Sequence, residues 1–179
     1  MSLAVKKKKR IRRAPAWMRP VSAVLAVLAT VVLMRSFVLD IRPVRGGSME
    51  PALCEGEWVL IFKPVFSMRT PQHGELWVFT PDAAQDDWIK RVVGLPEERL
   101  YAQEGQLYRD GVPVDEPYLA EGTPDFPAIQ SWAGEYLMLG DHRAGSSDSR
   151  EQVIGAIPRD HLIGRAALVV WPPYAWRFL

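Results

Sequence analysis

The sequence predicts a mainly β domain standing behind one N-terminal membrane-spanning helix. Three observations predict it. A charge-free apolar run, Val21 to Met34, follows eight basic side chains with no acid among them: Lys6, Lys7, Lys8, Lys9, Arg10, Arg12, Arg13 and Arg19. Beyond residue 40 the apolar residues come in short runs rich in Val, Ile, Leu and Trp, punctuated by Gly and Pro, with little helical periodicity. Of the 179 residues, about 140 follow the apolar run, enough for one compact domain with its own core and too few for two of ordinary size.

The run from Val21 to Met34 is 14 residues long, short of the roughly 20 that a spanning helix needs. Counting on to Leu39 gives 19 positions. Arg35 then lies close enough to one end to snorkel, and Trp17 sits at the other interface. A cleavable leader would need a small-x-small site, and Arg35-Ser36-Phe37-Val38-Leu39-Asp40 offers none. A buried core helix fits poorly beside eight positive charges. The segment therefore reads as an uncleaved signal anchor over residues 21–39. The positive-inside tendency makes residues 1–20 a basic cytoplasmic tail and puts 40–179 outside. The rest of the chain holds 14 of the 22 basic residues against all 21 acids; a basic tail alone could suggest nucleic acid, but an apolar run follows it at once, so no nucleic-acid partner is expected.

After an extended link from Asp40 to Arg45, strands are expected at Glu57–Phe62, Glu75–Phe79, Trp88–Val93, Glu98–Ala102, Gln106–Arg109, Glu135–Leu139 and Leu162–Trp171. A hairpin should turn near Glu104-Gly105, with a second turn at Asp110-Gly111. Residues from about 101 to 134, with Pro113, Pro117, Pro124 and Pro127, are expected as an irregular excursion. Cys54 is the single cysteine, so no internal disulfide forms, and His73, His142 and His161 lack zinc-motif spacing. Neither a metal nor another cofactor is expected.

Three segments carry chemistry. In Gly46-Gly47-Ser48-Met49-Glu50-Pro51, two glycines let the backbone turn sharply and leave a hydroxyl accessible. Taken alone, an ordinary turn explains these residues as well. In Trp88-Ile89-Lys90-Arg91-Val92-Val93, strand alternation puts Lys90 on one face with Trp88 and Val92. A lysine pointing inward loses hydration, and a fall of its pKa to about 8 costs roughly 3 kcal/mol. That is the condition for a lysine base, although the segment taken alone reads more readily as a surface Lys-Arg pair on an edge strand. The polar loop Gly140-Asp141-His142-Arg143-Ala144-Gly145-Ser146-Ser147-Asp148-Ser149-Arg150 follows an apolar strand, a place where sites are often built. Asp148 and Arg150 could pair with each other or with Asp141 and Arg143, and Ser146 or Ser147 could aim a lysine amine. A solvated turn is the plainer alternative.

GGSMEPAL, IKRVVGLPEE and GDHRAGSSDSR stand in this order behind one anchor, with GELWVFTPD over 74–82 and IPRDHLIGRA over 157–166. Together they resemble the type I signal peptidases of bacteria, a Ser–Lys protease family, over roughly residues 20–171. The resemblance implies a β-rich catalytic core in which Ser48 is the nucleophile, Lys90 the general base and Ser146 the group that orients the lysine. It makes Asp148 and Arg150 a structural ion pair, and places Met49, Trp88 and Ile89 at the substrate. It also implies cleavage of signal peptides with small residues at −1 and −3, by a single-pass monomer at the outer face of the bacterial cytoplasmic membrane. Two departures stand out. Gly46 occupies a position where some members carry a serine oxyanion donor, which leaves backbone N–H groups, that of Ser48 included. His142 stands where asparagine is usual; the intact Lys90 motif argues against a Ser–His pair. Self-cleaving Ser–Lys proteases related to LexA-like repressors share the dyad but carry a switching module that is not visible here. A tethered β-domain that merely binds exported proteins is the non-enzyme alternative.

Overall fold

The computed structural model describes residues 18–63, 69–83 and 86–179. Residues 1–17, which hold most of the basic tail and Trp17, lie outside the described residues. The apolar run folds as helix α1, Met18–Phe37, starting three residues before the expected anchor and ending two before it. Val21, Val24, Leu25, Val27, Leu28, Val31 and Val32 are exposed on one side and Ala23, Ala26 and Ala29 on the other, so the helix is apolar around its circumference and not along one stripe. No helix among the described residues is long and apolar enough to cross a membrane. Arg35 interrupts the apolar run, and Leu39 already belongs to a strand, so α1 does not cover the whole of the expected 21–39 segment.

Two antiparallel sheets make the body. The larger runs β1 (Leu39–Pro43), β2 (Trp58–Phe62), β11 (Leu162–Trp171), β3 (Leu76–Phe79), β4 (Trp88–Gly94), β9 (Glu135–Leu139) and β10 (Ile157–Pro158), with β12 (Arg177–Phe178) also on β11. The smaller is β7 (Val112–Pro113), β6 (Gln106–Arg109), β5 (Arg99–Gln103) and β8 (Phe126–Gln130). All seven expected strands are present within a residue or two of their expected bounds. The link out of α1 is itself a strand, β1, paired to β2 with Leu39 opposite Phe62. Within the supposedly irregular excursion, β8 pairs with β5, so Pro124 and Pro127 lie beside or on an edge strand, where a missing N–H is tolerated.

Alternation on β4 explains the layering. Val92 packs with Trp77, Phe79, Tyr136 and Met138, while Val93 packs with Leu100, Leu107, Leu137 and Leu139 beneath the small sheet. A third cluster of Val44, Met49, Leu53, Val59, Ile61, Val78 and Val169 seats the turn after β1. The 140–150 loop leaves the end of β9 beside that turn. Gly164 on β11 has no side chain because a Cβ there would meet the Phe62 carbonyl at 2.5 Å.

Candidate active site

The turn that carries Ser48 is held from both sides. Gly46 has φ +73°, open to glycine at no steric cost, and Val44 N–H donates to Glu57 O. The Met49 side chain is buried in the third cluster, which fixes the residue next to Ser48 and leaves the serine half-buried at the floor of a groove. From the loop, the His142 backbone N–H donates to Ser48 O at 3.1 Å.

Lys90 reaches the same point from β4. Its residue is 4 % exposed, and its Nζ donates to Ser48 Oγ at 2.7 Å and to Ser146 Oγ at 3.0 Å. The ammonium position lies 5.6 Å from the Trp88 ring centre, on the face that strand alternation assigned. Burial brings the lysine pKa down to about 8; Arg150 pushes the same way, while Asp148, Asp141 and Glu151 oppose it.

Gly140 lets these groups meet. A Cβ there would lie 2.1 Å from Ser146 Oγ and 2.5 Å from Ser48 O. Asp148 accepts from Gly140 N–H at 3.0 Å, and both its oxygens accept from Arg150, through Nε and Nη2, at 2.8 Å each. Arg150 also donates to Ser146 O at 3.2 Å. Of the pairings considered for the loop, Asp148 with Arg150 forms. Asp141 instead accepts from Arg91 at 2.8 and 2.5 Å, and Arg143 pairs with Glu116 at 2.6 Å.

The groove encloses about 730 Å³ around Ser48 and Lys90, with Met49, Val78, Trp88 and Ile89 on its apolar side and Arg42, Arg45, Asp86 and Asp87 on its charged side. Ser147, rather than Ser146, faces it from the loop. His142 is exposed, and the amine beside Ser48 is that of Lys90. Among the described residues, no group of three or more His, Cys, Asp or Glu side chains converges as metal ligands would. Glu116, Tyr118 and Thr123 were not expected near the site. Their link to Arg143 crosses 27 residues of a proline-rich stretch, and no local pattern announces it.

A lysine stripped of water against a serine hydroxyl, on a β-sheet beside a groove, is the arrangement that a Ser–Lys hydrolase needs. Comparison with known proteins narrows the class. A sequence model of the family described as "Signal peptidase, peptidase S26" matches residues 17–171. The probable signal peptidase I-1 of Synechocystis sp. is 34% identical over 88% of this chain and 83% of its own length. Signal peptidase I T of Bacillus subtilis is 31% identical over 83% of this chain and 82% of its own length. The crystal structure of a signal peptidase I from Enterococcus faecalis superposes with a TM-score of 0.50 at 29% identity, covering 55% of this chain and 98% of that one. The chain belongs to the signal peptidase family of serine endopeptidases.

Proposed function

We propose that this signal peptidase uses Ser48 as nucleophile and Lys90 as general base to remove signal peptides from exported preproteins. The observation that carries the reading is the 2.7 Å approach of Lys90 Nζ to Ser48 Oγ inside a buried setting. With a pKa of about 8, about a tenth of Lys90 is neutral at pH 7, far more than for an ordinary lysine. The neutral amine takes the Ser48 proton as Oγ attacks the scissile carbonyl. Negative charge gathers on the carbonyl oxygen, within reach of the Ser48 N–H. The protonated Lys90 then gives its proton to the departing amine as the C–N bond breaks. A water deprotonated by Lys90 attacks the resulting ester, and Ser48 leaves with the proton. Ser146 holds the amine on line, and the Asp148–Arg150 pair holds the loop that bears Ser146.

Small residues at −1 and −3 suit the apolar part of the groove, where Met49, Val78, Trp88 and Ile89 lie with Ser48, while Arg42, Arg45, Asp86 and Asp87 make the rest of the wall polar. Residues 21–39 act as a single-pass anchor and 40–179 as the extracytoplasmic catalytic domain. Exposed Trp171, Tyr174, Trp176 and Phe178 offer interfacial aromatics that lay the domain on the bilayer. The test is cleavage of a preprotein by the detergent-solubilised chain beside Ser48→Ala. The parent should cut after a small residue and the variant should not, with thermal stability unchanged. Full activity in a pure Ser48→Ala protein removes the assignment.

A further inference from the structure

The groups around the dyad are held in turn by a segment of the chain that never touches it. Residues 114–125 leave the small sheet after β7 and return to it as β8. From there Glu116 grips Arg143 with both carboxylate oxygens, at 2.6 and 2.7 Å. The two side chains are only 6 % and 2 % exposed. Thr123 Oγ1 contacts both the Arg143 guanidinium and Glu116. Arg143 Nε in turn donates to Gly140 O at 3.0 Å. The Gly140 peptides are thus pinned at both ends, the N–H by Asp148 and the carbonyl by Arg143. Gly140 is also the residue against which Ser146 Oγ and Ser48 O close.

A second arm starts from the same carboxylate. Tyr118 donates its hydroxyl to Glu116 at 2.5 Å, and its ring lies 3.8 Å from the Arg91 guanidinium carbon. Arg91 follows Lys90 on β4 and holds Asp141, at the root of the loop, through two hydrogen bonds. One buried carboxylate therefore braces both the strand that carries Lys90 and the loop that carries Ser146.

We propose that Glu116 and Tyr118 are positioning residues for the reaction, setting the distance between Ser146, Lys90 and Ser48 through Arg143 and Arg91. The proposal rests on the Ser48–Lys90 reading. A carboxylate bidentate to a buried guanidinium fixes orientation as well as distance, and small misplacements of reacting groups cost rate steeply. Loosening the loop lets water reach Lys90 and changes its setting. The groups facing the amine are the Ser48 and Ser146 hydroxyls, the Trp88 ring, Asp148, Arg150 and Glu151 on the loop, and Asp141 at its root. Most of these belong to the braced segment.

The experiment compares the full chain in detergent with Glu116→Gln and Tyr118→Phe, measuring kcat, KM and the pH dependence of preprotein cleavage. Glu116→Gln keeps the shape and removes the charge. Tyr118→Phe keeps the stack on Arg91, removes one hydrogen bond and is the milder change if the first variant folds poorly. Both should lower kcat, Glu116→Gln by about tenfold or more, with KM less affected and the rising limb moved to higher pH. Unchanged kcat and an unchanged limb in the folded variants, whatever their thermal stability, overturn the proposal. Lys90→Ala runs beside them. If it stays active, the dyad reading itself has failed; if it is inactive while Tyr118→Phe behaves as the parent, only the positioning role has.

Discussion

Lys90 is a charge the fold would be more stable without. Its neighbours on β4 are Trp88 and Val92, its exposure is 4 %, and its pKa sits at about 8 against 10.5 for the free side chain. A lowered lysine pKa means that the unfolded chain binds the proton more tightly than the fold does. The penalty is then fully present below about pH 8 and fades as pH rises towards 10.5. At about 1.36 kcal/mol per unit, it amounts to roughly 3 kcal/mol at neutral pH. Lys90→Met should therefore be inactive yet more thermally stable than the parent at pH 7, with the gap narrowing at pH 10. Melting curves at the two pH values check this, and a variant less stable at pH 7 contradicts it. The inward direction of this lysine was readable from strand alternation. Its 2.7 Å contact with a serine 42 residues away was readable only through the family resemblance.

At the scale of elements, the site is a loop pressed onto a turn, and Gly140 sets how closely they approach. A methyl there would meet Ser146 Oγ at 2.1 Å and Ser48 O at 2.5 Å, so one of them must move. Gly140→Ala should cost about 1–3 kcal/mol in stability. It should also reduce kcat/KM by about a hundredfold, because Ser146 leaves the amine it orients. Denaturant melts and preprotein kinetics on the same sample measure both, and a variant with parental kcat/KM would show that the loop does not set the geometry. Strands were legible where apolar residues cluster between Gly and Pro, as in β4 and β11. β1 was hidden by Asp40, Arg42 and Pro43, and β8 by the prolines around it. Both pair along one edge of another strand, and edge strands need not alternate cleanly. The Glu116–Arg143 brace escaped detection because nothing in a sequence says which buried acid meets which buried base.

Across the whole molecule, polar chemistry gathers at one groove while aromatics gather at the end of the chain. Ala175 and Leu179 pack on the core, but Tyr174 is 92 % and Phe178 88 % exposed. The stretch is thus divided between residues that close the core and residues that face outward. Tyr174→Ser with Phe178→Ser should leave stability within about 0.5 kcal/mol and weaken binding of the chain lacking residues 1–37 to lipid vesicles. Equal vesicle binding by parent and variant would assign these aromatics another use.

The pH dependence of kcat/KM for preprotein cleavage, recorded for the parent, His142→Ala and Lys90→Ala, tests the dyad most directly. The account predicts a rising limb near pH 8 that His142→Ala preserves, and no measurable cleavage by Lys90→Ala at any pH. A limb that vanishes with His142→Ala, while Lys90→Ala still cuts, would make histidine the base and contradict the account.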